Sequence, residues 1–263
     1  MRVGLGLGLG YAGLRRVMGP SRPWMPDDIG GLVAWFDAEF GVTQAGGAVS
    51  EWVDRVAGLA ASPMAPINRP AYDGAARNGM AGLVLDGTAH FLQVPTTTLP
   101  TANATVLVSA YLEASVANGS WKRPFACGSG DNTASLNIVR KGFSPRGAAE
   151  YSLGSSPLDW IGFDRCAIVT KAGTAGSFFV DGGAATSGAF APQWQVTAAY
   201  IGRGIAFQDH WSGVIQQIVI YDRALSGEER QTLEGWESWH TGKGGANLPV
   251  DHPFKAAAPM TTL

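Results

Sequence analysis

The sequence predicts an all-β protein, an antiparallel β-sandwich with one C-terminal helix and an extended N-terminal arm. Short runs of β-branched and aromatic residues recur along the chain, separated by turns rich in Gly, Pro, Asn and Asp. No long amphipathic pattern appears before residue 226. The 263 residues include 36 Gly and 15 Pro, and 46% of them are hydrophobic but only 15% charged. This composition suits one large buried core with many turns.

The first strand of the sandwich is predicted at residues 32–37, where apolar side chains alternate. Further strands are predicted at residues 49–55, 83–87, 90–94, 105–112, 135–139, 164–170 and 177–183, the last two as a hairpin. Asn78-Gly79 predicts a tight turn. Asp37 and Glu39 lie at the end of the first strand, with the spacing that places two carboxylates on one face. We expect both to lie on the surface.

Residues 199–204 and 211–221 predict two late strands. In the second strand, strict alternation divides the side chains into two faces, both largely apolar, so the strand is expected to be covered on both sides. One face has Val214, Gln216, Ile218 and Ile220, and the other has Ile215, Gln217, Val219 and Tyr221.

A helix is predicted at about residues 227–240. Ser226 and Glu229 form the capping-box pattern at its start. Leu233 and Trp236 mark the buried stripe, and Arg230 and Glu237 are expected to face outward.

The late strands and the helix start, residues 199–204 and 211–230, resemble the last strands of concanavalin A-like (laminin-G-like) jelly-roll domains. Residues 24–38 resemble the opening of such domains in phage and prophage structural proteins. The tail at 247–255 resembles a tail common in the phage-associated copies. The resemblance implies a jelly roll of the type found in phage or gene-transfer-agent proteins, such as a head spike or tail fibre.

Residues 1–25 are predicted to be an anchoring arm and linker, and residues 26–263 the sandwich with its helix and tail. The arm alternates Leu and Gly, so an extended backbone places Leu5, Leu7 and Leu9 on one face. Together with Tyr11, these residues are candidates for anchoring in a groove or at a sheet edge of another particle protein. The alternative is an export signal, for which Gly makes a poor apolar helix and Arg15-Arg16 follow too early.

The net charge is −2 and no Lys/Arg cluster appears, so nucleic acid is not expected as a partner. No apolar run is long enough to predict a membrane span. Cys127 and Cys166 lack metal-ligand spacing, and two buried thiols are favoured over a disulfide.

Motifs for catalysis and metal binding are not found. The sequence lacks the paired-carboxylate run that jelly-roll glucanases carry on one strand and the Gly-x-Ser-x-Gly elbow of hydrolases. Four scattered His and the lack of a clear calcium loop leave no predicted metal or cofactor. A non-enzymatic protein is therefore expected.

Sugar binding is the remaining chemistry, since sugars are held by aromatic faces and fixed polar groups on loops. Core or rim packing is the competing explanation for each such residue. The candidate ligand-binding residues are Gln208, Asp209, His210, Trp211, Trp121, Arg123 and Asp131.

The sequence and the resemblance together predict an oligomeric structural and adhesive protein on the surface of a phage-like particle. Its partners would be other particle proteins, bound through the arm, and host capsular or surface polysaccharide. The alternatives are a secreted bacterial carbohydrate-binding module, a glycan-processing enzyme and a purely structural module without a ligand.

Overall fold

The computed structural model describes residues 21–114, 122–129, 135–139, 142–146, 160–189, 196–205 and 209–262. In chain order, the strands are β1 (Ser21–Pro23), β2 (Leu32–Asp37), β3 (Val42–Ala45), β4 (Ala48–Val53), β5 (Ala60–Ala61), β6 (Ala71–Arg77), β7 (Met80–Asp86), β8 (Leu92–Gln93), β9 (Ala104–Leu112), β10 (Phe125–Gly128), β11 (Ser135–Val139), β12 (Gly142–Arg146), β13 (Asp164–Ala172), β14 (Ala175–Val180), β15 (Thr186–Ala189), β16 (Ala198–Ile201), β17 (Ser212–Tyr221) and β18 (Met260–Thr262). The helix α1 spans Gly227–His240, and short 3-10 turns lie at Pro26–Asp28 and Pro66–Asn68.

Two antiparallel sheets form the sandwich, which confirms the predicted fold class. The long sheet has the order β15-β14-β13-β9-β17-β7-β6-β4-β3, with β2 also beside β17 and β5 beside β4. The short sheet has the order β12-β11-β10-β16-β8. A separate pair joins β1 to β18, so the two ends of the described chain meet.

Strand β17 lies at the centre of the long sheet. It pairs with β9 on one side and with β7 and then β2 on the other. Its register with β9 shifts between Ile215 and Gln217, so the strict alternation predicted across residues 214–221 is wrong. This bulge adds one residue and places Ile215 on the same face as Ile218 and Ile220, in the core between the sheets.

A second apolar cluster lies on the other face of the long sheet, under α1. Leu107, Ile168 and Val219 of the sheet belong to it, and the helix contributes Leu233 and Trp236. Both faces of the long sheet are therefore covered here, as predicted for β17. Trp24 also joins this cluster, with its ring 6.4 Å from that of Trp236.

The predicted helix start is confirmed. The Ser226 hydroxyl accepts from the Glu229 amide at 3.2 Å, and the Glu229 carboxylate accepts from the Ser226 amide at 2.8 Å. Arg223 also donates to both Glu229 oxygens, at 2.9 and 2.6 Å. These hydrogen bonds satisfy backbone donors that the first helical turn leaves without intrahelical partners.

The outward orientation expected for Glu237 is wrong, because Glu237 is completely buried. The tail after α1 folds back over this side of the helix and brings Lys243 into an ion pair with Glu237. Nearby, His252 Nε2 lies 3.2 Å from Glu234 Oε2, and both side chains are buried.

Several local predictions are confirmed. Asn78 and Gly79 have positive φ values of 52° and 77° in the turn between β6 and β7. Strands β13 and β14 form the predicted hairpin. Cys127 and Cys166 are buried thiols in different sheets.

Replacing Gly235 with Ala is expected to lower the free energy of unfolding by about 1–3 kcal/mol. A Cβ at Gly235 would lie 2.5 Å from Phe254 Cβ in the tail, so the tail would have to shift. Gly227→Ala is the matched control, since no atom lies within 4 Å of its added Cβ and Ala favours the helix. Urea unfolding of both variants measures the difference. Equal effects from the two substitutions would contradict the close packing of the tail on α1.

Replacing Glu229 with Gln is expected to cost about 1 kcal/mol near neutral pH. Hydrogen bonding to Arg223 lowers the pKa of Glu229 to about 2, against the opposing effect of burial. A lowered pKa contributes stability above the unfolded value of 4.5 that is lost as the pH falls towards 2. The difference between wild type and variant should therefore shrink from pH 5 to pH 2 in denaturant titrations. Glu228→Gln, next to it in the same turn, should cost less than about 0.5 kcal/mol, and a pH-independent loss in Glu229→Gln would contradict the ion pair.

Candidate functional site

Polar and aromatic side chains from four segments meet at one rim of the sandwich. The segments are the β7–β8 connection, the residues before β10, the end of β16 and the residues before β17. We call this group the rim cluster, and its members are Asp86, His90, Phe91, Lys122, Arg123, Tyr200, Arg203, Asp209 and His210.

Arg123 and Asp209 join two of these segments. The Arg123 amide donates to the Asp209 carbonyl at 3.2 Å, and the two side chains form an ion pair. Arg123 is almost completely buried, whereas the Asp209 side chain is 32% exposed. The pair therefore holds Asp209 in a fixed position while leaving part of its carboxylate accessible to solvent.

An aromatic group forms the centre of the rim cluster. The Phe91 ring lies 5.7 Å from Tyr200, edge to face, and 5.8 Å from His210. Tyr200 is half-buried on the outer side of β16, since Ala199 and Ile201 face the core. The Arg203 guanidinium lies over both rings, 4.6 Å from Phe91 and 4.7 Å from Tyr200, at the distance of a cation–π contact.

Gly202 determines how the chain turns before Arg203. Its amide donates to Pro124 O and its carbonyl accepts from the Trp211 amide, both at 2.8 Å. With φ at 90° and Leu85 Cδ2 only 2.1 Å from an added Cβ, this position requires glycine. The backbone that carries Arg203 is thus tied to the segments before β10 and β17.

Asp86 organises the β7–β8 connection. Its carboxylate accepts from the amides of Thr88, Ala89 and His90 at 2.9–3.0 Å. Burial acts to raise its pKa, but these hydrogen bonds hold the pKa well below its ordinary value. Asp86 is therefore ionised at neutral pH, and most of its acceptor capacity is used by the turn.

His210 is buried in the rim cluster, where two cations and two carboxylates act on its imidazole. Burial lowers its pKa, and the charges of Arg203 and Lys122 lower it further, while Asp86 and Asp209 act in the opposite direction. The imidazole is consequently neutral at neutral pH. Its Nε2 is buried without a hydrogen-bond partner among the described residues.

The structure brings together three of the predicted ligand-binding residues, Arg123, Asp209 and His210. The structure contradicts the prediction that Trp211 binds a ligand. Trp211 is completely buried, and its ring packs edge to face against Trp160 at 5.4 Å. Its Nε1 donates to Tyr111 O at 3.0 Å, so Trp211 belongs to the core. The other predicted site and anchoring residues lie outside the described residues: Gln208, Trp121, Asp131, Leu5, Leu7, Leu9 and Tyr11.

Sequence reasoning missed the other six members of the rim cluster: Asp86, His90, Phe91, Lys122, Tyr200 and Arg203. Alternation in β16 was the available signal, because it places Tyr200 opposite Ala199 and Ile201. The motif around Tyr200 and Arg203 resembles a known fold, and this resemblance does not indicate a role in binding.

The surface position expected for Asp37 is also wrong. Asp37 is completely buried and accepts from Gln217 Nε2 at 2.7 Å and Arg55 Nη1 at 2.9 Å, while His240 Nε2 lies 3.4 Å away. Burial acts to raise the pKa of Asp37, but the His240 ring and the Gln217 amide lower it. Glu39 is exposed as predicted.

A cavity of about 300 Å³ lies away from the rim cluster, beside the second half of α1. It is lined by Pro23, Trp24, Met25, Trp236, Trp239, His240, Ala258 and Pro259. Its polar groups are largely engaged already, since Trp239 Nε1 donates to Phe254 O and His240 faces Asp37. It offers little to orient a hydroxyl-rich ligand, so the rim cluster is the stronger candidate site.

Among the residues that the structure describes, no group of three or more His, Cys, Asp or Glu side chains is placed to hold a metal ion. No helix in the described ranges is both long and apolar enough to cross a membrane.

The fold and the sequence together define the family. Residues 86–229 match the model of the concanavalin A-like lectin/glucanases superfamily, so the chain belongs to that superfamily. The matched region includes every member of the rim cluster. No curated protein sequence matches the chain.

Solved structures share the fold at low sequence identity. Domain 4 of AbnA, a GH43 extracellular arabinanase from Geobacillus stearothermophilus solved in complex with arabinotriose, has a TM-score of 0.60 and 14% identity over 75% of this chain and 95% of that domain. Trypanosoma rangeli sialidase in complex with sialic acid has a TM-score of 0.55 and 18% identity over 83% of this chain. The match covers only 35% of the sialidase chain.

Trp211→Phe is expected to lower the free energy of unfolding by about 1.5–3 kcal/mol, because it leaves a cavity in the core and removes the hydrogen bond to Tyr111 O. Trp239→Phe is the matched control, since its indole also donates to one backbone carbonyl but is only half-buried. Urea unfolding compares the two variants. A Trp211→Phe protein that keeps its stability would show that this ring is not a core residue.

Proposed function

We propose that this chain is a non-enzymatic, glycan-binding adhesion protein. The observation that carries the proposal is the rim cluster, where aromatic, cationic and carboxylate side chains from four segments converge on a rigid β-sandwich. Such a combination of a few fixed polar groups with aromatic rings is typical of ligand sites. Membership of the concanavalin A-like lectin/glucanases superfamily supports carbohydrate binding as a general class of function.

The AbnA domain supports a sugar as the ligand class, because it shares the sandwich and was solved with arabinotriose. At 14% identity this likeness shows the fold alone. The residues proposed to bind sugar here are therefore argued from the rim cluster of this chain.

Binding without catalysis is the favoured activity. The sequence lacks the paired-carboxylate run of jelly-roll glucanases. The buried carboxylates Asp37, Glu234 and Glu237 are engaged with neighbours on the helix side of the long sheet. Release of reducing ends from host polysaccharide by the purified protein would instead support a glycan-processing enzyme.

The finer proposal is a head spike or tail fibre on a phage-like particle, such as a gene-transfer agent. The Leu-Gly arm would attach it to other particle proteins, and the sandwich would hold host surface polysaccharide. Several copies on one particle would raise weak single-site binding through avidity. Particles that assemble normally with a chain lacking residues 1–20 would rule out the anchoring role.

A secreted bacterial carbohydrate-binding module is the second candidate. The observation in its favour is the likeness to a domain of an extracellular arabinanase. Sequencing the N-terminus of the protein isolated from its native source separates the two. A start at Met1 or Arg2 favours the particle protein, and a start after residue 17 favours the secreted module.

Replacing Tyr200 with Ser is expected to weaken binding to host surface polysaccharide about tenfold, or about 1.4 kcal/mol. Tyr200 lies half-buried at the centre of the rim cluster and supports Arg203. Tyr72→Ser, which removes another half-buried ring packed against the core from β6, should leave binding unchanged. Affinity electrophoresis in gels containing the extracted polysaccharide measures both. Wild-type protein that is retarded by no host polysaccharide would overturn the proposed function.

A further inference from the structure

We propose that the rim cluster selects anionic polysaccharide and that Arg203 is its main specificity-determining residue. This inference rests on the proposed glycan-binding function and adds the chemical class of the ligand. It follows from the contacts that hold Arg203, from the balance of charges around it and from the contacts that the aromatic rings already make.

The Arg203 guanidinium is held in a fixed plane. Its Nε donates to Gly204 O at 2.9 Å and its Nη2 to Ile205 O at 3.3 Å. The rings of Phe91 and Tyr200 lie against the guanidinium, with their centroids 4.6 and 4.7 Å from its central carbon. An arginine ordered before the ligand arrives loses little conformational entropy on binding, and its remaining N–H groups form a fork that fits a carboxylate or sulfate.

The charges in the rim cluster do not cancel. Three cations, Lys122, Arg123 and Arg203, lie with two carboxylates, Asp86 and Asp209. Arg123 is paired with Asp209, and Asp86 is engaged by backbone amides of its own turn. Within the described part of the chain, Arg203 and Lys122 form no ion pair with a carboxylate.

Lys122 adds a further cation to the rim cluster besides Arg203. Its Nζ donates to Gly87 O at 3.4 Å, a contact that leaves other ammonium protons available. Lys122 and Arg203 both lie close enough to His210 to act on it electrostatically. The chain as a whole has a net charge of −2, so this positive group is a local feature of the rim.

The aromatic rings are poorly placed to stack on a neutral sugar. Phe91 is buried and contacts Tyr200, His210 and Arg203. The Tyr200 ring is edge to face with Phe91 and has the guanidinium over one face. The two rings therefore support the Arg203 guanidinium, and this cation is the group that they present to a ligand.

Two matched ligand pairs test the inference. Polygalacturonate and its methyl ester differ in the carboxylate charge, and dextran sulfate and dextran differ in the sulfate. Affinity electrophoresis with each polymer at low ionic strength should show at least one anionic polymer bound at least tenfold more tightly than its neutral partner. Binding should weaken as salt is added, because partly exposed charges are screened.

Arg203→Gln tests the residue, since it removes the charge while keeping hydrogen-bonding capacity. It should weaken binding to the anionic polymer at least about tenfold, the range expected for a lost charge-assisted pair. Arg22→Gln is the control, because it makes the same change of net charge at an exposed site on β1. Lys122→Gln is a second variant, and it should also weaken binding because it removes a cation from the rim cluster. The wild-type Lys122 side chain makes one long hydrogen bond, so its loss should not affect folding.

Thermal unfolding verifies that each variant is folded. Equal binding of neutral and anionic polymers, or unchanged binding by both Arg203→Gln and Lys122→Gln, would overturn the inference and leave the proposed glycan binding intact. A wild-type protein that binds none of the four polymers nor the host polysaccharide would overturn the inference and the proposed function together.

Discussion

The burial of β17 on both faces is the constraint on which the rest of the structure depends. One face provides Ile215, Ile218 and Ile220 to the core between the sheets, and the other provides Val219 and Tyr221 to the cluster under α1. A strand covered on both sides can contain polar residues only where each finds a partner. The Gln217 amide meets this condition by donating to Asp37 and accepting from the Trp35 indole. The bulge beside it lets the isoleucines before and after this point share one face.

The same strand positions the candidate site. Asp209, His210 and Trp211 lead directly into β17, and Trp211 is packed completely into the core. The rim residues that precede it are consequently joined directly to the buried core. The short sheet supplies the other half through Tyr200, and Gly202 ties its end to the residues before β10 and β17. A binding group built in this way is ordered before a ligand arrives, which reduces the entropy lost on binding.

Local features were predictable from the sequence, and long-range burial was not. The turn at Asn78-Gly79 and the cap at Ser226 depend on neighbours a few residues away, and both were predicted. Asp37 and Glu237 read as surface residues because charged side chains are mostly exposed. Their partners, Gln217 and Lys243, are supplied by a distant strand and by the returning tail. For the same reason, the sequence indicated the region of Asp209 and His210 but could not show that Phe91 and Arg203 lie beside it.

The returning tail also bears on where the protein can recognise a charged ligand. The helix α1 is rich in polar residues, and Glu234, Glu237 and Ser238 are buried within it. Tail residues pair with each of them: His252 with Glu234, Lys243 with Glu237 and Asn247 with Ser238. Removing one partner of such a buried pair strongly lowers stability, so these charges serve to hold the tail in place. Arg203 and Lys122 are held at the rim by aromatic rings and backbone carbonyls instead, which keeps their charge available for a ligand.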